Sequence, residues 1–222
     1  MAEQLSLDLP VRPALGRDDF FVTPANAMAL AMVENWPTWP GSKLVITGPS
    51  GAGKTHLVHV WAALSGANIV SAKNLTRSDI PSLATSHTAV EDIPQIAQDP
   101  EAQAALFHLH NLTLAEGNSL LFTGVSDPTH WALTLPDLAS RMQGTTTAKL
   151  DDPDDTLLTV LLAKLFADRQ LVPTADTIPY LVKQMERSFD AARTLVATLD
   201  QASLAQKKPI TRAFAIRVMK SG

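Results

Sequence analysis

The run GPSGAGKT at residues 48–55 constrains the fold of this chain more than any other feature of its sequence. It matches the pattern GxxxxGKT and lies between a β-branched strand at 43–47 and a helical pattern at 55–64. In that context the loop wraps its backbone N–H groups around phosphate, and the helix N-terminus adds a positive dipole end. We therefore predict a nucleotide site for ADP or ATP, in which Lys54 contacts phosphate and Thr55 offers its hydroxyl to Mg²⁺. The predicted phosphate-binding residues are Gly48, Pro49, Ser50, Gly51, Ala52, Gly53, Lys54, Thr55 and His56.

Short apolar runs alternate with helical patterns up to residue 150. Further strands are predicted at 68–71, 87–90, 119–123 and 145–150, with helices at 26–33 and 100–116. Strands that alternate with helices indicate a parallel sheet covered on both faces. The prediction is an α/β P-loop domain with a five-stranded parallel sheet.

The pattern changes at the acidic cluster 151–155, where acids around a proline are typical of a helix start. Beyond it, apolar residues recur at helical spacing, and three more helices are predicted near 175–187, 189–206 and 210–220. We expect three parts: a tail, an α/β nucleotide-binding core and a small all-α lid domain. Their predicted bounds are 1–16, 17–150 and 151–222.

Composition disfavours several classes of protein. The 222 residues carry a formal net charge of −4, whereas tight autonomous binding to duplex DNA usually requires a basic excess. No apolar run approaches the roughly 18 residues of a membrane span, so no membrane partner is expected. The chain has no cysteine, which fits a reducing cytoplasm. We expect a cytoplasmic protein that meets DNA only indirectly.

Polar residues follow two of the predicted strands. Glu91 and Asp92 end a strand that could lie beside the P-loop strand, where a carboxylate would hold Mg²⁺ or orient an attacking water. Thr88 and Ala89 make that strand a weak one, because they are poor core residues. Thr123 ends the next strand, where a hydroxyl could sense the γ-phosphate. The sequence leaves open which of the two acids faces the metal.

Taken together, these stretches resemble the AAA+ module of the DnaA family of bacterial replication initiators, and within it the short Hda-type regulators. The resemblance runs over roughly residues 20–220, and its ordered series of motifs is more specific than the P-loop alone. The residues that carry it are Phe20–Asn26, Gly48–Leu57, Glu91–Ile93, Leu120–Gly124, Leu138–Arg141 and Arg193.

The resemblance implies a role for each matching residue. Thr123 would occupy the sensor 1 position, and Arg193 would be the sensor 2 residue that reaches the nucleotide from the lid. Arg141 would be an arginine finger that acts on nucleotide bound to a neighbouring subunit. Glu91 replaces the aspartate usual in the initiators, so we expect weak hydrolysis by this chain itself. The residues bordering the adenine would be Phe21, Val22 and Asn26.

The tail resembles the peptide by which proteins dock on the β sliding clamp of DNA polymerase III. The matching residues are Gln4, Leu5, Leu7 and Leu9. An extended segment can place alternate leucines in apolar pockets while glutamine supplies hydrogen bonds. The resemblance also implies that the helix-turn-helix and helicase-interaction domains of the initiators are missing. The function implied is negative regulation of replication: a clamp-bound protein that promotes hydrolysis of ATP on DnaA.

Two alternatives remain at the sequence level. One is a DNA-binding AAA+ helicase loader or initiator paralogue, which the acidic balance disfavours. The other is a P-loop kinase for a small molecule, for which the sequence nominates no acceptor site. Monomer and homodimer both remain open.

Overall fold

A parallel sheet of five strands lies at the centre of the larger part of residues 15–221, the range that our computed structural model describes. The strands are β1 Lys43–Thr47, β2 Asn68–Ser71, β3 Thr88–Glu91, β4 Leu120–Gly124 and β5 Thr147–Lys149. Their order is β2-β3-β4-β1-β5, and all neighbouring pairs are parallel. The loops that follow the strands therefore lie at the same end of the sheet, the C-terminal end of its strands. The predicted α/β fold with five parallel strands is confirmed.

Within residues 15–221 the chain forms nine α-helices. They are α1 Ala27–Glu34, α2 Lys54–Ser65, α3 Ile80–Leu83, α4 Pro100–Ala115, α5 Pro136–Gln143, α6 Asp155–Asp168, α7 Thr177–Gln184, α8 Phe189–Gln206 and α9 Arg212–Ser221. None of the helices in this range is both long enough and apolar enough to cross a bilayer.

The sheet is buried on both faces because its strands are apolar at consecutive positions. Leu44 and Ile46 pack on one face with Trp61 of α2, whereas Val45 packs on the other with Leu106 of α4. Side chains alternate between faces along a strand, so one short run of β1 serves two helical layers. This packing anchors the P-loop, which follows β1 directly.

Two expectations about β3 are wrong. This strand does not lie beside the P-loop strand, because β4 separates β1 from β3. Nor are Thr88 and Ala89 poorly suited to the core, since both are completely buried. The hydroxyl of Thr88 donates a hydrogen bond to the carbonyl of Leu83 at 2.9 Å, which removes the cost of burying it.

The four helices after residue 154 pack around an apolar cluster of their own, as the leucine spacing predicts. The side chain of Asp154 accepts a hydrogen bond from the backbone N–H of Leu157 at 2.7 Å, so an acid does cap α6. Phe189, the first residue of α8, is 4% exposed and packs in the sheet-side cluster with Ala52 and Leu57. The helical part is therefore joined to the P-loop side of the core.

Candidate nucleotide-binding site

The P-loop closes around the ammonium of its own lysine. Lys54 begins α2 and is 7% exposed. Its Nζ donates hydrogen bonds to the backbone carbonyls of Gly48 and Pro49, both at 2.8 Å. The lysine thus lies inside the loop that the sequence predicts to hold phosphate.

Three carboxylates lie near Lys54: Glu91 at the end of β3, Asp92 directly after it, and Asp190 on α8. Burial lowers the pKa of Lys54, while the charges of Asp92, Asp190 and Glu91 act in the opposite direction. The pKa falls because an ammonium loses solvation when it is buried, and nearby negative charge restores part of that loss. A phosphate in the loop would supply such charge directly.

Two glycines keep the cradle open. Gly51 has φ +80°, and a Cβ there would lie 2.9 Å from the guanidinium carbon of Arg193 and 2.9 Å from Cβ of Phe189. Gly53 has φ +99°, and its added Cβ would lie 3.1 Å from the ring of Phe20. Any side chain at either position would be strained by its backbone and would crowd Arg193, Phe189 or Phe20. Without side chains at these positions, the loop backbone can approach a phosphate group closely.

Glu91 stands beside the P-loop threonine. The hydroxyl of Thr55 donates a hydrogen bond to Oε1 of Glu91 at 2.7 Å. Asp92 is held by its backbone instead: its N–H donates to Oγ1 of Thr123 at 2.9 Å, and its φ of 59° is left-handed. Oxygen ligands are those that Mg²⁺ prefers, and Thr55 with Glu91 offers two of them. These residues fit a Mg²⁺ ion, which would polarise the phosphate oxygens when bound.

Arg193 reaches the P-loop from the lid. It projects from α8 towards Gly51, and its Nη1 lies 3.4 Å from a carboxylate oxygen of Asp190 on the same helix. The two side chains are 47% and 63% exposed, so this ion pair holds the guanidinium only weakly. Arg193 is therefore free to exchange Asp190 for a stronger anion such as phosphate.

A pocket opens beside the P-loop, between the segment before α1 and the lid. Asn26 shapes its wall: Nδ2 donates to the carbonyl of Phe21 at 3.0 Å, and Oδ1 accepts from the N–H of Thr23 at 2.9 Å. Val22 is 41% exposed and does not line the pocket, unlike Phe21 and Asn26. The lining residues are Asp19, Phe20, Phe21, Asn26, Gly51, Ala52, Gly53, His56, Leu157, Val160, Leu161, Lys164 and Phe189.

Sequence reasoning missed much of this wall. Phe20 packs edge-on against His56, with ring centroids 5.1 Å apart, and lines the pocket more deeply than the predicted Phe21. Leu157, Leu161 and Phe189 come from the lid. The four-residue spacing of the two leucines predicts that they share one face of a helix. It does not indicate what that face packs against. An apolar wall next to a phosphate cradle suits a flat aromatic base.

Arg141 lies at the opposite edge of the sheet. It sits in the last turn of α5 and is exposed. Burial lowers the pKa of Lys43, the first residue of β1, and the charge of Arg141 lowers it further. The P-loop follows the other end of β1, about 13 Å away at the usual rise per residue. Across the described stretch 15–221, no carboxylate forms an ion pair with Arg141. The structure thus brings Lys54, Thr55, Glu91 and Arg193 together and leaves Arg141 apart.

The predicted clamp-binding residues Gln4, Leu5, Leu7 and Leu9 lie outside the described residues. Where the chain enters the described range, His56 Nε2 lies 2.7 Å from the carbonyl oxygen of Gly16. That hydrogen bond holds Gly16 beside the first turn of α2.

Comparison with known proteins identifies the fold. No protein-family model matches the chain. Domain III of the replication initiation protein DnaA from Thermotoga maritima superposes with a TM-score of 0.76 at 18% identity, covering 96% of this chain and 98% of that one. AMPPCP-bound DnaA from Aquifex aeolicus gives a TM-score of 0.67 at 17% identity, covering 88% and 70%. The fold is thus an AAA+ fold, in which a helical lid adjoins a P-loop sheet.

A curated protein is similar to this chain in sequence as well. The chain is 25% identical to the chromosomal replication initiator protein DnaA of Thermomicrobium roseum, over 100% of its own length and 53% of the relative's. The chain is therefore similar in sequence to DnaA along its whole length. It spans about half the length of that relative, 53%.

Proposed function

We propose that this chain is a clamp-bound negative regulator of replication initiation, which promotes hydrolysis of ATP bound to DnaA. The proposal rests first on Arg141, an exposed cation without a carboxylate partner in residues 15–221. Its own P-loop lies beyond the far end of β1, so its charge can act only on a nucleotide held by another subunit. DnaA is the proposed partner because the chain is DnaA-like along its whole length.

The chain's own site is proposed to bind ADP or ATP with Mg²⁺ as a conformational latch. Lys54 and Arg193 would contact the phosphates, and Thr55 with Glu91 would hold the metal. A DnaA of the same fold binds AMPPCP, which supports adenine nucleotide as the ligand. Because Arg193 belongs to the lid and Lys54 to the core, one nucleotide would tie the two parts together.

The tail is proposed to recruit the chain to the β sliding clamp. Residues 1–16 would act as the docking segment, 17–150 as the nucleotide-binding core and 151–222 as the lid. A clamp-held copy would meet DnaA near replicating DNA at a high effective concentration, without any new contact to DnaA. Contact with DNA would be indirect, through the clamp.

The deciding experiment measures hydrolysis of ATP bound to DnaA with this protein, sliding clamp and DNA present, and then with each omitted. We expect fast hydrolysis only when all are present. A tail variant in which Gln4, Leu5 and Leu7 are alanine should bind no clamp and should need a far higher concentration to stimulate. The matched control replaces the exposed apolar residue Val172 by alanine and should behave as wild type.

Other outcomes would favour other functions. If stimulation is equal with and without the clamp, the proposed role of the tail is wrong. Tight binding to duplex DNA by the protein alone would support the initiator-paralogue or helicase-loader alternative. The kinase alternative receives no support from a DnaA-like AAA+ fold, and phosphorylation of a small molecule would be required to revive it.

A further inference from the structure

Three basic side chains from three elements converge at the sheet edge that carries Arg141. Lys43 begins β1, His110 lies on α4, and Arg141 lies on α5. The ammonium of Lys43 is 3.4 Å from Nε2 of His110. Lys43, His110 and Arg141 are called the basic edge below.

The hydrogen bonds define the protonation of the histidine. An ammonium can only donate, so Nε2 of His110 accepts from Lys43. The proton of the neutral ring is then on Nδ1, where it is donated to Oδ1 of Asn111 at 3.1 Å. The ring is 1% exposed and lies 6.3 Å from the stacked ring of Phe122. His110 is thus a fixed neutral acceptor that orients the lysine.

The two cations of the basic edge, Lys43 and Arg141, form no ion pair with an acid of the described residues. Burial lowers the pKa of Lys43, and the charge of Arg141 lowers it further. Two like charges that share a site cost free energy when no anion lies between them. Such a cluster is therefore a candidate for binding an anion.

We propose that Lys43 and Arg141 form a two-cation site for the terminal phosphates of a nucleotide carried by a second AAA+ subunit. His110 accepts a hydrogen bond from the ammonium of Lys43 and so restricts where that ammonium lies. Lys43 binds and positions the anion, while Arg141 supplies the mobile, fork-shaped charge. This inference rests on the proposed function for the identity of the partner, and it adds a second cation that the sequence did not indicate.

The first test needs no partner protein. Full-length Lys54→Ala protein, whose P-loop is disabled, is labelled with ¹⁵N in its histidine rings and titrated with inorganic tripolyphosphate at constant ionic strength. The His110 signals should shift saturably, whereas those of His108, exposed on the same helix, should not. If Lys54→Ala does not fold, the wild-type protein saturated with ADP serves instead.

Variants then locate the anion. Lys43→Gln and Arg141→Gln should each weaken tripolyphosphate binding roughly tenfold or more, the effect of losing one charge-assisted contact. Lys183→Gln, which removes an exposed lysine in the lid, should leave binding unchanged. Absence of a saturable shift, or equal affinity in Lys43→Gln, would overturn the proposal.

The second test uses DnaA. Lys43→Gln should raise the concentration of this protein needed for half-maximal stimulation of DnaA hydrolysis roughly tenfold, with a smaller change in the maximal rate. An unchanged half-maximal concentration would count against the proposal. If the wild-type protein stimulates nothing, the proposed function fails, while the tripolyphosphate titration still decides whether the basic edge binds phosphate.

Discussion

The two ends of β1 carry cations in opposite circumstances. At the P-loop end, Lys54 has two carbonyl partners and three acids around it, and Arg193 has Asp190. At the other end, Lys43 and Arg141 have no carboxylate partner anywhere in the described part of the chain. The cations beside the P-loop thus have partners within the chain, close ones for Lys54 and a weak one for Arg193. Charges left without a counter-ion are available to another molecule.

The two ends differ in solvent exposure as well. Lys54 is 7% exposed, whereas Arg141 is an exposed side chain on the last turn of a helix. Salt screens exposed charges more than buried ones. Association with another subunit through Arg141 should therefore weaken as the salt concentration rises. The affinity of the P-loop for its nucleotide should depend less on ionic strength.

Replacement of Arg141 by alanine should have the largest effect, and this effect should be confined to one end of β1. An arginine finger is worth about 10³-fold or more in hydrolysis, so Arg141→Ala should reduce stimulated hydrolysis on DnaA by at least that factor. The affinity of the Arg141→Ala protein for ADP should stay within about twofold of wild type, because the P-loop lies about 13 Å away along β1. Single-turnover hydrolysis by DnaA and calorimetric titration of this protein with ADP measure the two effects.

A control arginine makes that result specific. Arg169→Ala removes an arginine of the lid that pairs with Asp200 at 3.8 Å, and it should leave stimulation intact. If Arg141→Ala instead weakened ADP binding strongly, the two ends of β1 would not be independent, and the assignment of Arg141 to a second subunit would be wrong.

Replacement of Phe189 by alanine should affect the P-loop end of β1. This ring is 4% exposed and joins α8 to the cluster beneath the P-loop, so Phe189→Ala should destabilise the protein by about 3–5 kcal/mol. It should also weaken ADP binding, since α8 carries Arg193 to Gly51. Denaturant unfolding measures the first effect and calorimetry the second.

Phe214→Ala is the matched variant, because Phe214 is equally buried but packs only within the lid cluster. It should lower stability by a similar amount while folded protein still binds ADP normally. Equal losses of ADP affinity in Phe189→Ala and Phe214→Ala would mean that Phe189 has no special part in placing the lid.

The P-loop was predictable because its information is local. Eight consecutive residues, a strand and a helix define where Lys54 and Thr55 lie. Alternating apolar runs likewise predicted five parallel strands. The strand order was not predictable, since nothing in the sequence near Glu91 says that β4 lies between its strand and β1.

The basic edge was not predictable for the same reason. Lys43 and His110 are 67 residues apart, and their contact at 3.4 Å exists only because α4 packs over the start of β1. The role of Phe189 was not predictable either. The sequence pattern of a helix start does not indicate whether its first apolar residue packs within the helical part or against the sheet. Local patterns specify elements, whereas sites built between elements require the tertiary structure.

The titration of His110 gives the smallest effect and tests the least exposed member of the basic edge. Burial, chiefly, lowers the pKa of His110; the nearby charges of Lys43 and Arg141 lower it further, while the hydrogen bond with Asn111 opposes them. In the unfolded chain the ring takes up a proton near its ordinary pKa of about 6.5, but in the folded protein it resists protonation. The unfolded state then binds more protons, so the free energy of unfolding must fall as the pH drops below about 6.5.

Urea unfolding at pH 7.5, 6.5 and 5.5 measures this slope, whose contribution from one group cannot exceed about 1.4 kcal/mol per pH unit. His110→Gln should flatten the dependence, whatever its effect on stability at neutral pH. His108→Gln, on the exposed side of the same helix, should leave the dependence as in wild type. If His110→Gln and wild type lose stability equally on acidification, His110 is not held neutral beside Lys43. The ammonium of Lys43 would then lack the acceptor that fixes its position, and the two ends of β1 would differ less than their contacts indicate.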